Sequence, residues 1–246
     1  MLEVTVRPRH LFLTLLGVIA ALSAISYAFL LVTVGLGVEA GPVVSARKFF
    51  DVNAETNLPS WFSAVLLTVT GLVTFDVGRR AHVQGRRWSR HWMVLGLGFC
   101  YLSLDELVGL HEKLVEPMTA VVGDSGVFKY AWVAAALPAV TVVALFYVRF
   151  LLALPRRAAA LALLGGVLYV GGSVGLEMVA NALSDSGISE EGLLLGTMQA
   201  VEEACEMVGP ALFLSVVAGL SQRSRTLDAT SSASPASSSA SAVPSA

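Results

Sequence analysis

Residues 92–115 read WMVLGLGFCYLSLDELVGLHEKLV, and the fold turns on how that run is taken. It has the length of a membrane span, since about 20 residues cross a hydrocarbon core of about 30 Å. Its second half nevertheless carries Asp105, Glu106, His111, Glu112 and Lys113. Taken as one helix, it puts charge where there is no water to receive it.

The rest of the chain supports a membrane setting. Of 246 residues, 55% are hydrophobic and 14% charged, and the mean hydropathy of +0.73 is too high for a domain whose surface faces water. Apolar runs of spanning length recur near 11–36, 60–78, 92–115, 130–153, 159–182 and 194–220, which predicts an all-α polytopic protein with six transmembrane helices. The ten-residue alternation of an outer-membrane barrel is missing from them. Val38-Glu39-Ala40 resembles a signal-peptidase site, but the run before it exceeds the roughly 7 to 15 residues of a signal core, so it counts as a helix. A net charge of −2 offers no field for nucleic acid. Cys100 and Cys205 both fall within helices and read as packing residues.

Arginine sets the expected orientation. Arg7 and Arg9, the cluster Arg79, Arg80, Arg86, Arg87 and Arg90, then Arg149, Arg156 and Arg157, and finally Arg223 and Arg225 occupy alternate connections. The positive-inside rule therefore places both termini in the cytoplasm, with the chain in the cell membrane. The expected divisions are a cytoplasmic arm over 1–10, a six-helix domain over 11–221 and a disordered Ser/Ala/Pro-rich tail over 222–246, whose composition cannot bury enough surface to order itself.

With that topology, three helices bring acids to one depth in the outer half of the bilayer: Asp105, Glu106 and Glu112 on the third, Glu177 on the fifth, and Glu202, Glu203 and Glu206 on the sixth. On a continuous helix, Tyr101, Asp105, Gly109, Glu112 and Glu116 fall within roughly 40° of one line, and His111 points away from Asp105. Glu177 is expected to pair with Asn181 one turn on. Uncompensated, these acids together cost roughly 15 to 25 kcal/mol, more than the stability of ordinary domains, about 5 to 15 kcal/mol. Apart from His111, the basic side chain at that depth is Lys113. Protons shared between acids, or bound metal ions, are the agents left to neutralise them.

Glu202 with Glu206, and Glu203 with Glu206, are spaced to reach one ion from one helix face. The expectation is a divalent metal site of Asp105, Glu106, His111, Glu112, Glu177, Glu202, Glu203 and Glu206, with oxygen donors and one imidazole suited to iron, manganese, zinc or calcium. The site would belong to a membrane metalloenzyme acting on a lipid or small apolar substrate. A diiron pattern lacks its Glu-x-x-His, because Val108 stands three residues before His111, and a multi-histidine lipid hydrolase lacks histidines, with His10, His82 and His91 on the cytoplasmic side. The alternatives are a proton- or cation-coupled transporter, against which the lack of evident broken helices counts, and a noncatalytic subunit of a membrane complex.

Other features have simpler readings. Ser103 suits an interhelical hydrogen bond, and Asp76 pairs with Arg79 and Arg80. In FFDVNAETNLPSWFS, residues 49–63, Asn57 and Pro59 suit a helix start, while Asp51 or Glu55 offers a lid over the acids. Gly165, Gly166, Gly171, Gly172 and Gly175 permit close helix packing, with a hinge or a seam between two copies of the chain as the other uses.

The stretches FFDVNAETNLPSWFS, YLSLDELVGLHEKL and VEEACEMVGP, with RFLLALPRR between the last two, resemble an uncharacterised family of multi-pass membrane proteins of bacteria and archaea. The resemblance carries no activity. It implies that Glu55, Asp105, Glu106, His111, Glu112, Glu202, Glu203 and Glu206 are signature positions.

Overall fold

The computed structural model describes residues 7–232; residues 1–6 and 233–246, which hold parts of the expected arm and tail, lie outside the described residues. Among the described residues every regular element is helical. Helix α1 (Pro8–Leu30) runs into a wide turn at Leu31–Gly35, and a short α2 (Gly41–Phe50) leads to α3 (Leu58–Val83). Next come α4 (Ser89–Val108), α5 (Val115–Val122) and α6 (Val133–Leu152). Helix α7 (Arg156–Val170) passes through a second wide turn, Gly171–Leu176, into α8 (Glu177–Asp185), and α9 (Leu193–Ser232) closes the bundle. The expected start of the tail at 222 falls inside α9.

Among the described residues, five helices are long and apolar enough to cross a membrane: Pro8–Gly35, Leu58–Val83, Val133–Leu152, Arg156–Asp185 and Leu193–Arg223. A sixth crossing exists if Ser89–Val108 and Glu112–Val122, bent by 78°, form one span. This is a multi-pass membrane protein.

The run at 92–115 is thus not one helix, contrary to the sequence expectation. Gly109 takes a left-handed conformation (φ 58°) and closes α4 with its N–H on the Asp105 carbonyl. A single 3-10 turn at Glu112–Leu114 follows before α5. A left-handed residue costs any side chain with a Cβ about 1 to 2 kcal/mol, which is why the break falls at glycine. Helical wheels across this point lose their meaning.

The connection after α1 holds more structure than its sequence indicated. Helix α2 is anchored by Phe50, whose ring stacks on Phe29 at 6.2 Å, and the Val52 N–H donates to Ser26 Oγ at 3.1 Å. Asn57 then starts α3: its side chain accepts the Ser60 N–H at 3.1 Å, and its own N–H donates to Ser60 Oγ at 3.0 Å. Pro59 fits the first turn, as the sequence implied.

Packing within the bundle depends on small residues. A Cβ on Gly96 would lie 2.7 Å from the Gly71 carbonyl oxygen, and one on Gly71 would lie 2.7 Å from that of Gly96, so α3 and α4 touch backbone to backbone. Gly165 and Gly209 do the same for α7 and α9. Of the five glycines expected to pack, Gly165 and Gly172 make close approaches, whereas Gly166, Gly171 and Gly175 have nothing within 4 Å. Ser103 Oγ donates to the Ala64 carbonyl at 2.7 Å, the interhelical role read from sequence. Helix α9 is the hub, and Met207, Ala211, Leu214 and Val217 are buried where α1, α3 and α7 meet it.

Gly96→Leu should overpack the α3–α4 contact at a cost of about 1 to 3 kcal/mol, lowering the melting temperature in detergent by about 5 °C at the usual conversion for a chain this size. Gly98→Ala, two residues away with open space around it, should leave that temperature unchanged or raise it slightly; differential scanning fluorimetry reads both.

Candidate functional site

The break at Gly109 assembles the site. By turning the chain it brings His111 back to the end of α4, where Asp105 Oδ1 accepts the His111 backbone N–H at 2.8 Å and Oδ2 lies 2.9 Å from His111 Nδ1. The wheel had placed His111 away from Asp105; that expectation is overturned, because it assumed a continuous helix. With Asp105 ionised, Nδ1 is the protonated nitrogen and Nε2 is left for other partners.

Two neighbours complete this tier. The Trp132 ring lies 4.8 Å from that of His111, and its indole N–H donates to Glu177 Oε1 at 2.9 Å. Trp132 was not among the sequence candidates. Its only signal was an aromatic residue at the start of a span, which reads as an interfacial anchor. Glu177 therefore does not depend on Asn181, as had been expected; Asn181 is buried, and its Nδ2 has no partner among the described residues.

Two further carboxylates lie over Gly109. A Cβ there would come within 3.0 Å of Glu55 Oε1 and 3.1 Å of Glu112 Oε2, so Glu55 does reach the acidic end of α4 from the α2–α3 connection. The Glu55 carboxyl is held above its ordinary value first by burial and then by the neighbouring Glu112 carboxylate.

A second tier lies deeper. Glu106 accepts a hydrogen bond from the Ser63 hydroxyl of α3 and interacts electrostatically with Glu203 and Glu206 of α9. Glu202 interacts with Glu177 and so links the tiers. Tyr169 of α7 also belongs here, within electrostatic reach of Glu206, Glu106, Asp105 and Glu203. A lone tyrosine among leucines and glycines gave the sequence reading no reason to include it. The wide turn at Gly171–Leu176 ends on Glu177, and a Cβ on Gly172 would lie 2.9 Å from the Glu202 carbonyl oxygen and 3.3 Å from Glu206 Cγ. Such i→i+5 turns are frequent at functional sites because they re-aim the residues that follow.

The eight expected ligands are therefore distributed rather than focused. Among the described residues, no three His, Cys, Asp or Glu side chains are disposed to hold one metal ion, and Asp105 already spends both oxygens on His111. Lys129 is not drawn into the acids: its ammonium donates to Ser184 and Glu190, fastening the start of the α6 segment to the α8–α9 connection. Asp76 pairs with Arg79 at 3.0 Å and with Arg80, as read from sequence.

The family model for a domain of unknown function, DUF8692, matches residues 10–220. The chain belongs to that family. The match takes in all the helices just described except the ends of α1 and α9, and both tiers lie inside it. No curated protein and no solved structure matches the chain.

Glu55 supplies a pH test. The folded state keeps its proton to higher pH than the unfolded chain does, so its contribution favours folding at low pH and is lost as pH rises from about 4.5 through the raised value. Glu55→Gln should flatten the fall in melting temperature across that window. The effect should be small because Glu55 is exposed; thermal scans from pH 4 to 7 measure it.

Proposed function

We propose that this protein moves protons, coupled to a solute, through a site reached from the end of the bundle that carries α2. The observation that carries the proposal is the interrupted third span with the Asp105–His111 pair at the interruption. Broken helices at a site of buried charge are characteristic of secondary transporters, and their apparent lack was what had counted against this reading. In this proposal the bent pair is one span, six spans cross a prokaryotic cytoplasmic membrane, and the arginine-rich ends face the cytoplasm.

The acids then work in sequence. A proton from outside binds His111 Nε2, and Asp105 balances the imidazolium it creates. From there the order of electrostatic neighbours runs to Glu177, on to Glu202, and then to Glu203 and Glu206 beside Glu106. A chain of carboxyls that pass one proton among them avoids holding several ionised groups in hydrocarbon together. Tyr169 offers a hydroxyl along that route.

A second reading is favoured by one feature of α9. Glu203 and Glu206 lie one turn apart and face Glu106, so a divalent iron, manganese, zinc or calcium ion bridging α4 and α9 would neutralise them. That version is a membrane metalloenzyme; a noncatalytic subunit of a membrane complex is the remaining alternative. A small rearrangement would be needed to bring a third donor to the ion.

Proteoliposomes loaded with a pH-sensitive dye decide between these. Under an imposed potential the wild type should acidify the lumen faster than empty vesicles, and the Asp105→Asn, Glu203→Gln double variant should be at least 10-fold slower. Flux equal to empty vesicles, with one or two metal equivalents by mass spectrometry in the wild type and none in the variant, would replace transport by the metal reading. A fixed partner co-purifying with a metal-free, flux-free protein would favour the subunit.

A further inference from the structure

A groove of about 510 Å3 runs between α1, α7 and α9, walled by Ser23, Tyr27, Leu168, Thr197, Ala204 and Val208. Thr197, Ala204 and Val208 lie on the opposite face of α9 from Glu203 and Glu206, whereas Cys205, also in the groove's lining, lies within electrostatic reach of Glu202. From Thr197 to Val208 the groove covers eleven residues of α9, about 16 Å at the helical rise. That is half the thickness of a hydrocarbon core of about 30 Å, the depth of one leaflet.

The lining selects the occupant. The walls are almost wholly apolar and one end runs into a polar pit, which suits an amphiphile with a hydrocarbon chain. Water is disfavoured, since a bound water wants two to four polar partners. Here the Thr197 hydroxyl is turned to the Leu193 carbonyl at 2.6 Å, and the Ser23 hydroxyl is buried without a partner among the described residues. One flexible hydrocarbon chain lying along α9 matches these walls and the depth of one leaflet.

The end of the groove nearer α2 meets a polar pit. The two share Tyr27 and Ala200, and the pit, of about 50 Å3, is lined by Arg47, Asp51, Asn53 and Gln199. Arg47 and Asp51 offset each other's charge at 3.7 Å, and the amides of Asn53 and Gln199 both donate and accept. The pit therefore suits an uncharged hydrogen-bonding end, a hydroxyl or an amide.

We infer that the α1–α7–α9 groove is a binding site for a single-chain neutral lipid of the leaflet at the α2 end, its acyl chain along α9 and its hydroxyl or amide end in the pit at Arg47, Asp51 and Gln199. The pit's Asp51 lies within electrostatic reach of Glu203, so a bound head group would sit beside the carboxyl tier.

The test is photolabelling of the full-length protein in liposomes with a monoacylglycerol bearing a 16-carbon diazirine chain, followed by peptide mapping. Labelling should concentrate on α1 around Tyr27 and on α9 between Thr197 and Val208, and excess unlabelled monopalmitoylglycerol should suppress it at least 5-fold in the wild type. Ala204→Trp, which fills the groove, should cause a similar loss, while Leu145→Trp on the exposed face of α6 should not. Unsaturable labelling spread equally over α6 would overturn the site. Equal or stronger labelling by the diazirine palmitate anion would overturn the assignment of a neutral head.

Discussion

A helix that stops leaves backbone groups without their intrahelical partners, and at Gly109 it is the Asp105 carboxylate that takes one of them. By accepting the His111 N–H and the His111 ring together, one side chain caps the break and orients the imidazole. The remaining features of the acidic end follow from this contact. Trp132 lies against a ring that Asp105 holds still, Glu177 is reached through Trp132, and Glu55 and Glu112 close over a glycine that has no side chain to exclude them.

Helix α9 joins this end to the rest of the molecule because its faces differ. One face carries Glu202, Glu203 and Glu206 toward the α4 and α7–α8 segments, and the other presents Thr197, Ala204 and Val208 to a hydrocarbon-sized groove. Glycines make the division work. Gly165 and Gly172 let α7 and its wide turn approach so closely that the acids are flanked by backbone, which leaves no space for bulky side chains between them.

The helical class, the multiple spans, the start of α3 at Asn57 and Pro59, and the Asp76 pairs were legible in the residues, since each depends on local composition or on neighbours a turn away; that Ser103 bonds across helices was legible too, but not that Ala64 is its partner. The errors share one cause. A wheel drawn from Tyr101 to Glu116 assumes unbroken 3.6-residue periodicity, so it misplaced His111 and hid the pair it forms with Asp105. The same habit paired Glu177 with Asn181 because they are four apart, although a tryptophan from another helix was the actual partner. Nothing local marks Trp132 or Tyr169 as belonging with acids more than thirty residues distant in the chain.

By itself, then, the sequence determined that this chain enters a membrane as helices and that it carries acids into the apolar layer. Hydrocarbon length and the cost of burying charge can be summed along a linear chain. How those acids are divided, into a histidine-bearing tier at the break and a carboxyl tier beneath it, was decided only by the tertiary structure. The cause is that a left-handed glycine and two wide turns change the direction of the chain without changing its composition, and partners from separate helices are set by that direction.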